Sequence, residues 1–335
     1  RLKIEKPEVI VLGLDTMVMD NDEALKREGV EYTYKGVKGF QPLQLFWRGL
    51  PIDAVFRGGS KHSNHSDTVV KMIKHIVKRI REEYAKDVLI LIRMDSGFFD
   101  EVNFEVFEGL KIGYLCGGRL YDGIKEKVKD EILTEYRKEG SIWDYTEFMD
   151  KREKWDKERR LIYTECHAEA RQLLLPFAYR KKVFYTNLGV DEEVTDTFEK
   201  RGKQEYLTAE KLIEIYHLRG EDELSHRGIK DFGTEHLPFL RFEPNSVFYW
   251  TMLISFFLFE TFKEDVLKDA VKSIEIPVNE NSYATTFRRY ILDFAAKLVH
   301  TGREIILKVT VALWERIKIL ELWERCNSPP VISLT

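Results

Sequence analysis

The chain has few cysteines: Cys116, Cys166 and Cys326 are the only three in 335 residues, spaced 50 and 160 apart. No C-x-x-C pair exists among them, which excludes a zinc ribbon and a disulfide scaffold and points to a reducing cytoplasm. Long apolar runs are lacking too. The strongest, Val247 to Phe259, has 13 residues interrupted by Thr251 and Ser255, short of the roughly 20 that a spanning helix needs. It reads as a buried helix, and no membrane partner is expected. No signal-peptide pattern, internal repeat or low-complexity tract is present. An excess of one charge is also missing: 53 Lys and Arg stand against 57 Asp and Glu, so the net charge of −4 does not announce a nucleic-acid binder. What remains is 44% hydrophobic and 33% charged, a globular composition whose length suggests about two domains.

Two continuous apolar runs stand out. Val9 to Leu14 ends in Asp15, and Val88 to Ile92 runs through Arg93-Met94 into Asp95. Runs of this kind are strands buried on both faces. Phe40 to Trp47 and Ile52 to Phe56 read as two more strands joined by Arg48-Gly49-Leu50-Pro51. Asp67 to Tyr84 carries an apolar stripe (Val69, Ile73, Ile76, Val77, Ile80), with Lys71, Lys74, Lys78 and Arg81 on the outer, solvated face. A short helix at 103–110 and a strand at 112–116 follow, giving a mixed sheet with helices packed on it. Residues 119–206 change character, with short apolar runs among charge and aromatics, and read as an inserted β-containing module. From Thr208 onward helices dominate, including an amphipathic stretch at about 285–325.

In open α/β sheets the functional crevice lies beyond the carboxyl ends of the strands. Asp15 and Asp95 each stand six residues after the start of such a run, at Val9 and Leu89. An aspartate at a strand end is often only a turn former or a cap. A matched pair on two buried strands is costly without compensation, so the two carboxylates either share a proton or hold a divalent cation. A third acid comes from a helix for which Thr208 is the N-cap and Glu210 lies in the first turn. On one continuous helix Tyr216, Arg219, Glu223 and Lys230 fall within a stripe about 60° wide, whereas Glu221 and Asp222 fall off it. Glu223 is therefore the acid chosen, flanked by groups suited to phosphate; a solvated charged face is the plainer reading of such a helix.

Tyr216-x2-Arg219-x3-Glu223-x6-Lys230 resembles the Y-(2)-R-(3)-E-(6)-K signature of bacterial insertion-sequence transposases of the DDE class. Leu14-Asp15-Thr16 resembles that family's first-aspartate motif, Arg93-Met94-Asp95-Ser96-Gly97-Phe98 its second, and Pro42-Leu43 to Phe56-Arg57-Gly58-Gly59 the hairpin between them. The resemblance spans roughly residues 9–260. It implies an α/β, RNase H-like mixed sheet with flanking helices, interrupted by a β-rich insertion and followed by a helical C-terminal region. The expected parts are 1–118 and 207–265 for the catalytic core, 119–206 for the insertion and 266–335 for the helical region.

The resemblance also implies the chemistry. Water attacks at the transposon end, and the freed 3′-hydroxyl then attacks target DNA in the same site. Asp15, Asp95 and Glu223 are the expected catalytic residues and ligands of two Mg²⁺ (or Mn²⁺) ions, a hard-cation, all-oxygen site; no other cofactor is expected. Tyr216, Arg219 and Lys230 are the expected DNA-binding residues. The partner is double-stranded DNA, both transposon ends and target, bound by a homodimer in a bacterial cytoplasm at the nucleoid. A nuclease that cuts without joining, or an inactive DNA-binding fragment, are the alternatives.

The chain departs from the family in two places. It opens on Arg1, with no N-terminal end-binding domain, and so reads as a piece of a longer protein. The stretch after Asp15 is acidic, so that Asp20 or Asp22 competes for the first ligand position; Asp15 is kept because it ends the strand. Residues 151–182 hold ten Lys and Arg against five acids, with Trp155, Tyr163 and Tyr179 interleaved. They read either as a DNA surface with an aromatic that stacks on an unpaired base, or as a charged hairpin with its aromatics inward. His62 and His65 read as loop residues rather than metal ligands, Arg57 to Lys61 lacks phosphate-loop spacing, and Cys116-Gly117-Gly118 reads as a strand end.

Overall fold

The computed structural model describes residues 1–23, 26–153, 155–169, 172–174, 179–267, 278–293, 296–302, 304–311, 314–315 and 318–327. Within these, the side chains of residues 169, 172–173, 221–223, 307, 319, 322 and 325 are not described. The chain forms two compact units, Arg1–Glu223 and Leu224–Thr335.

In the first unit the apolar runs become strands. After a short helix α1 (Leu2–Glu5) come β1 (Val9–Thr16), β2 (Met19–Asp20), β3 (Glu31–Tyr32), β4 (Lys38–Phe40), β5 (Leu43–Trp47) and β6 (Leu50–Val55). Helix α2 (Thr68–Glu83), β7 (Leu89–Met94), α3 (Glu101–Gly109), β8 (Gly113–Gly117) and α4 (Asp122–Lys129) follow. Then come β9 (Thr134–Lys138), β10 (Ser141–Asp150), β11 (Arg159–Glu169), β12 (Gln172–Leu173), β13 (Arg180–Thr186), α5 (Glu192–Lys200) and α6 (Ala209–His217). One sheet runs β6-β5-β1-β7-β8-β13-β11-β10-β9, and β2, β4 and β3 make a small separate sheet. At the centre β1, β7 and β8 are parallel; every other pair is antiparallel. The β5–β6 turn places Arg48 and Gly49 at φ 52° and 77°, the left-handed pair that a two-residue hairpin requires. Pro51, which has no N–H to give, sits on the edge strand β6.

Side-chain alternation sorts the sheet into two packed faces. Leu12, Leu14, Ile90, Ile92 and Tyr114 face α2, α3 and α4, whereas Leu89, Leu91, Leu115, Phe184 and Cys166 face α5 and α6. The mixed α/β sheet with flanking helices is as expected. Residues 119–206 do not build a sheet of their own: β13 pairs with β8, and β11, β10 and β9 extend the same sheet outward. On α2 the outer cations pair along the surface, Lys71 with Asp67 at 2.8 Å and Arg79 with Glu83 at 2.7 Å.

The second unit contains most of α7 (Gly220–Phe232), α8 (Phe242–Phe262), short helical segments at Ala284–Phe287 and Ile319–Asn327, and a hairpin of β14 (Lys297–Thr301) and β15 (Glu304–Lys308). The hairpin lies inside the stretch expected to be helical. β-Branched Val299, Thr301, Ile305 and Ile306 favour strand, and Gly302 turns the chain at φ 59°. Helix α8 is not buried all round as expected. It packs Tyr249, Met252, Leu253 and Phe256 inward and leaves Val247, Ile254 and Leu258 about 60% exposed. Among the described residues no helix is long and apolar enough to cross a membrane.

Candidate active site

Asp15 and Asp95 lie at the same end of two adjacent strands. β1 and β7 run parallel in a register that pairs Val9 with Leu89 and, at its last step, Leu14 with Met94; Asp15 and Asp95 are the next residue of each. Neighbouring strands are about 4.8 Å apart, so the two aspartates are brought together by backbone pairing alone. Their surroundings differ. Asp15 is buried, and its Oδ1 accepts the Thr16 N–H at 2.8 Å. Asp95 is half-buried at the cap of the turn Ser96–Phe98, its Oδ1 accepting the Gly97 N–H at 2.8 Å.

The other sequence-derived residues approach from α6. Thr208 caps that helix, accepting the Lys211 N–H. The helix stops at His217 and a new one starts at Gly220, so the single helix expected from Thr208 to Lys230 is broken. Leu218 and Arg219 form the joint: the Arg219 N–H donates to the Tyr216 carbonyl, a tight three-residue closure. Gly220, a poor helix former, opens the second helix. Tyr216 and Arg219 therefore do not share one helical stripe with Glu223 and Lys230. The break has a positive consequence, since Arg219 reaches Asp15 with Nη1 3.4 Å from Oδ2. Glu223 lies on α7, but its side chain is outside the described set. Lys230, two turns further along α7, pairs with Glu235 at 2.7 Å. Asp20 and Asp22 serve the small sheet instead: Asp20 accepts the Asp22 N–H and Asp22 accepts the Lys38 N–H.

Tyr216 is buried, with its ring stacked on Phe184 at 4.5 Å. Burial above all, then the neighbouring Cys116 and Asp95, push its pKa up against the opposing pull of Arg219, so the phenol stays protonated and can donate. Its Oη would lie 2.5 Å from a Cβ built on Gly117, which explains the glycine that ends β8. Only a residue without a side chain admits the phenol here.

Three residues were not assigned a role from sequence. Arg93 is buried in β7 on the face of α6 and donates to the Ile215 carbonyl at 2.9 Å, tying down the C-terminal turn that carries Tyr216. Its signal was an arginine directly after an otherwise apolar run. Arg57 is buried and holds the loop beyond it, donating to the Gln41 and Ser63 carbonyls at 3.1 Å. Ser63 on that loop lies 3.5 Å from the Thr16 hydroxyl and 2.7 Å from a Cβ built on Gly97, so the loop borders the Asp95 turn. His62 and His65 meet edge to face on the same loop, 5.6 Å apart. Among the described residues no group of three or more His, Cys, Asp or Glu is placed to hold a metal; the side chain of Glu223 is not one of them.

Cations of the basic stretch 151–182 are paired with acids that lie mostly outside it. Arg152 pairs with Asp150, Lys157 with Glu108, Arg159 with Glu101 and Glu108, Arg160 with Glu147, and Lys181 with Glu165. Its aromatics are also engaged. Trp155 is 7% exposed among Phe99, Phe104 and Tyr185, Tyr163 is buried on Glu165, and Tyr179 stacks on His167 at 4.0 Å. The stacking surface entertained from sequence is therefore corrected: aromatic area turned inward gains more from burial than it would from waiting for a base.

Comparison with known protein families matches residues 2–325 to the transposase DDE domain group 1 family. The chain belongs to that family. Comparison with curated proteins finds no match. Seven chains among solved structures match. One similar structure is the piggyBac transposase synaptic complex with hairpin DNA, 11% identical over 83% of this chain and 61% of that one. Its TM-score is 0.30, too slight a likeness to carry an argument.

Proposed function

We propose that this transposase cleaves DNA at transposon ends and joins the freed ends to target DNA, through an RNase H-like core whose acids are Asp15, Asp95 and Glu223. The observation that carries the reading is the parallel β1–β7 register, which sets two aspartates side by side at the carboxyl ends of the central strands. Two carboxylates with oxygen donors only suit hard divalent cations. The cationic Arg219 held against Asp15 marks the place as one that calls for positive charge. Bound there, two divalent cations would activate the attacking oxygen and stabilise the leaving one.

The chain's own residues do the rest. Asp15 is fixed by the Thr16 N–H and Asp95 by the Gly97 N–H, so each carboxylate holds one oxygen in place, while the other oxygen of Asp15 faces Arg219. Arg219 neutralises Asp15 in the free protein and offers a forked guanidinium to a phosphate next to the scissile one. Tyr216, held protonated, positions the scissile strand, and Lys230 takes a second flanking phosphate. In cleavage a water oxygen bonds to phosphorus as the bond to the 3′-oxygen breaks. That 3′-oxygen then bonds to a target phosphorus, displacing a target 3′-oxygen.

Asp95→Asn is expected to lower metal-dependent nicking and strand transfer on the order of a thousandfold while leaving DNA affinity within about threefold. Joined products in the unsubstituted protein separate this reading from a nuclease that only cuts. Full activity of Asp95→Asn would sink the assignment.

A further inference from the structure

Beyond the end of α6 a cavity of about 610 Å³ lies against the sheet. Its floor is a cross-strand row: Trp143 pairs with Cys166 and Cys166 with Arg180. Arg219 lines it as well, so the cavity is continuous with the Asp15 ion pair. Four cations line it against two carboxylates, Glu139 and Glu214. Glu214 is occupied, pairing with Lys138 at 2.6 Å and Lys211 at 3.2 Å and accepting from the Tyr136 hydroxyl.

Arg180 and Lys182 alternate along β13 on the same face as Phe184, toward α6, and both are exposed. Lys181 between them turns to the opposite face and pairs with Glu165 at 3.0 Å. His217 at the end of α6 registers the resulting field. Burial first, and then Lys182 and Arg180, push its pKa down to about 4, so the imidazole is neutral.

We propose that this cavity seats a backbone phosphate of the DNA strand leading away from Asp15 and Asp95, held by Arg180 and Lys182. The inference rests on the DNA-cleaving function proposed above. The chemistry is that of a phosphodiester and not of a stacked base. Trp143 is sandwiched between Tyr136 at 5.8 Å and His217 at 5.3 Å, near parallel to both, and offers no face to a base. Excess positive charge beside a closed aromatic stack selects the backbone.

The test compares the full chain with Lys182→Met, Arg180→Met and Lys181→Met, measuring affinity for an arbitrary duplex of about 20 base pairs across a salt series. All three substitutions remove one charge from exposed positions of one strand. Lys182→Met and Arg180→Met are each expected to reduce the slope of log affinity against log salt by about 1, with Lys181→Met unchanged. Equal losses in all three, or no loss at Arg180 and Lys182, overturn the cavity assignment alone. An unsubstituted chain with no salt-dependent affinity for DNA overturns the functional reading and this one with it. Thermal unfolding of each variant confirms that the fold is retained.

Discussion

The centre of the sheet and its outer extension carry charge in opposite ways. At the centre, β1 and β7 bring two carboxylates to one place, and Arg219 pairs with one of them. In the extension, β9 to β13 carry many cations, yet most are paired with acids of the same sheet or of α3. A basic segment and a DNA-binding surface are therefore not the same thing. A net count over residues 151–182 sees ten cations; of these, Arg180 and Lys182 line the cavity that Arg219 also lines.

Five substitutions test that contrast. The largest effect on stability is expected from Arg159→Met. Arg159 is 2% exposed, between Glu101 at 3.3 Å and Glu108 at 3.5 Å, and its loss removes the buried cation between the two acids, leaving Glu108 only its pair with Lys157 at 2.7 Å among those described. A cost of about 3–5 kcal/mol in denaturant unfolding is expected. Salt-dependent DNA affinity should not change, because this cation is internal. Trp155→Ala should cost about 3–4 kcal/mol for the same reason of burial, again with DNA affinity retained. A selective loss of binding in either variant would restore the extension as a DNA surface.

His217 gives a pH signature. Its folded pKa, about 4, lies below the ordinary value of 6.5, so between these values the unfolded chain binds a proton that the folded chain does not. Its contribution is present above about pH 6.5 and is lost as pH falls toward 4, on the order of 3 kcal/mol. In His217→Phe, which keeps a ring against Trp143, that part of the pH dependence of unfolding should vanish. A smaller effect is expected at the catalytic end. Gly117→Ala would force Tyr216 Oη away from its 2.5 Å approach and cost about 1–3 kcal/mol. Tyr216→Phe in the same chain should recover most of that loss in a double-mutant cycle.

The central strands were legible because burial on both faces writes a continuous apolar run, and Asp15 and Asp95 were legible because each closes one. The pairing of β13 with β8 was not, since strands of alternating polarity do not say which neighbour they join. Nor was the break after His217. Periodicity carries through Leu218 and Arg219 as if the helix continued, whereas the ion pair to Asp15 and the hydrogen bond from Arg93 to Ile215 join residues distant in sequence that a helical pattern does not show. Charge count misled in the same manner at 151–182, where the partners of the cations lie as far off as Glu101 and Glu108.

The central claim is that Asp15 and Asp95 jointly hold divalent cations. The most direct measurement is Mn²⁺ binding by electron paramagnetic resonance in the unsubstituted full chain, in Asp15→Asn and in Asp95→Asn. Bound Mn²⁺ is expected in the first, and affinity at least about tenfold weaker in each variant. Binding that is unchanged in both variants would contradict it.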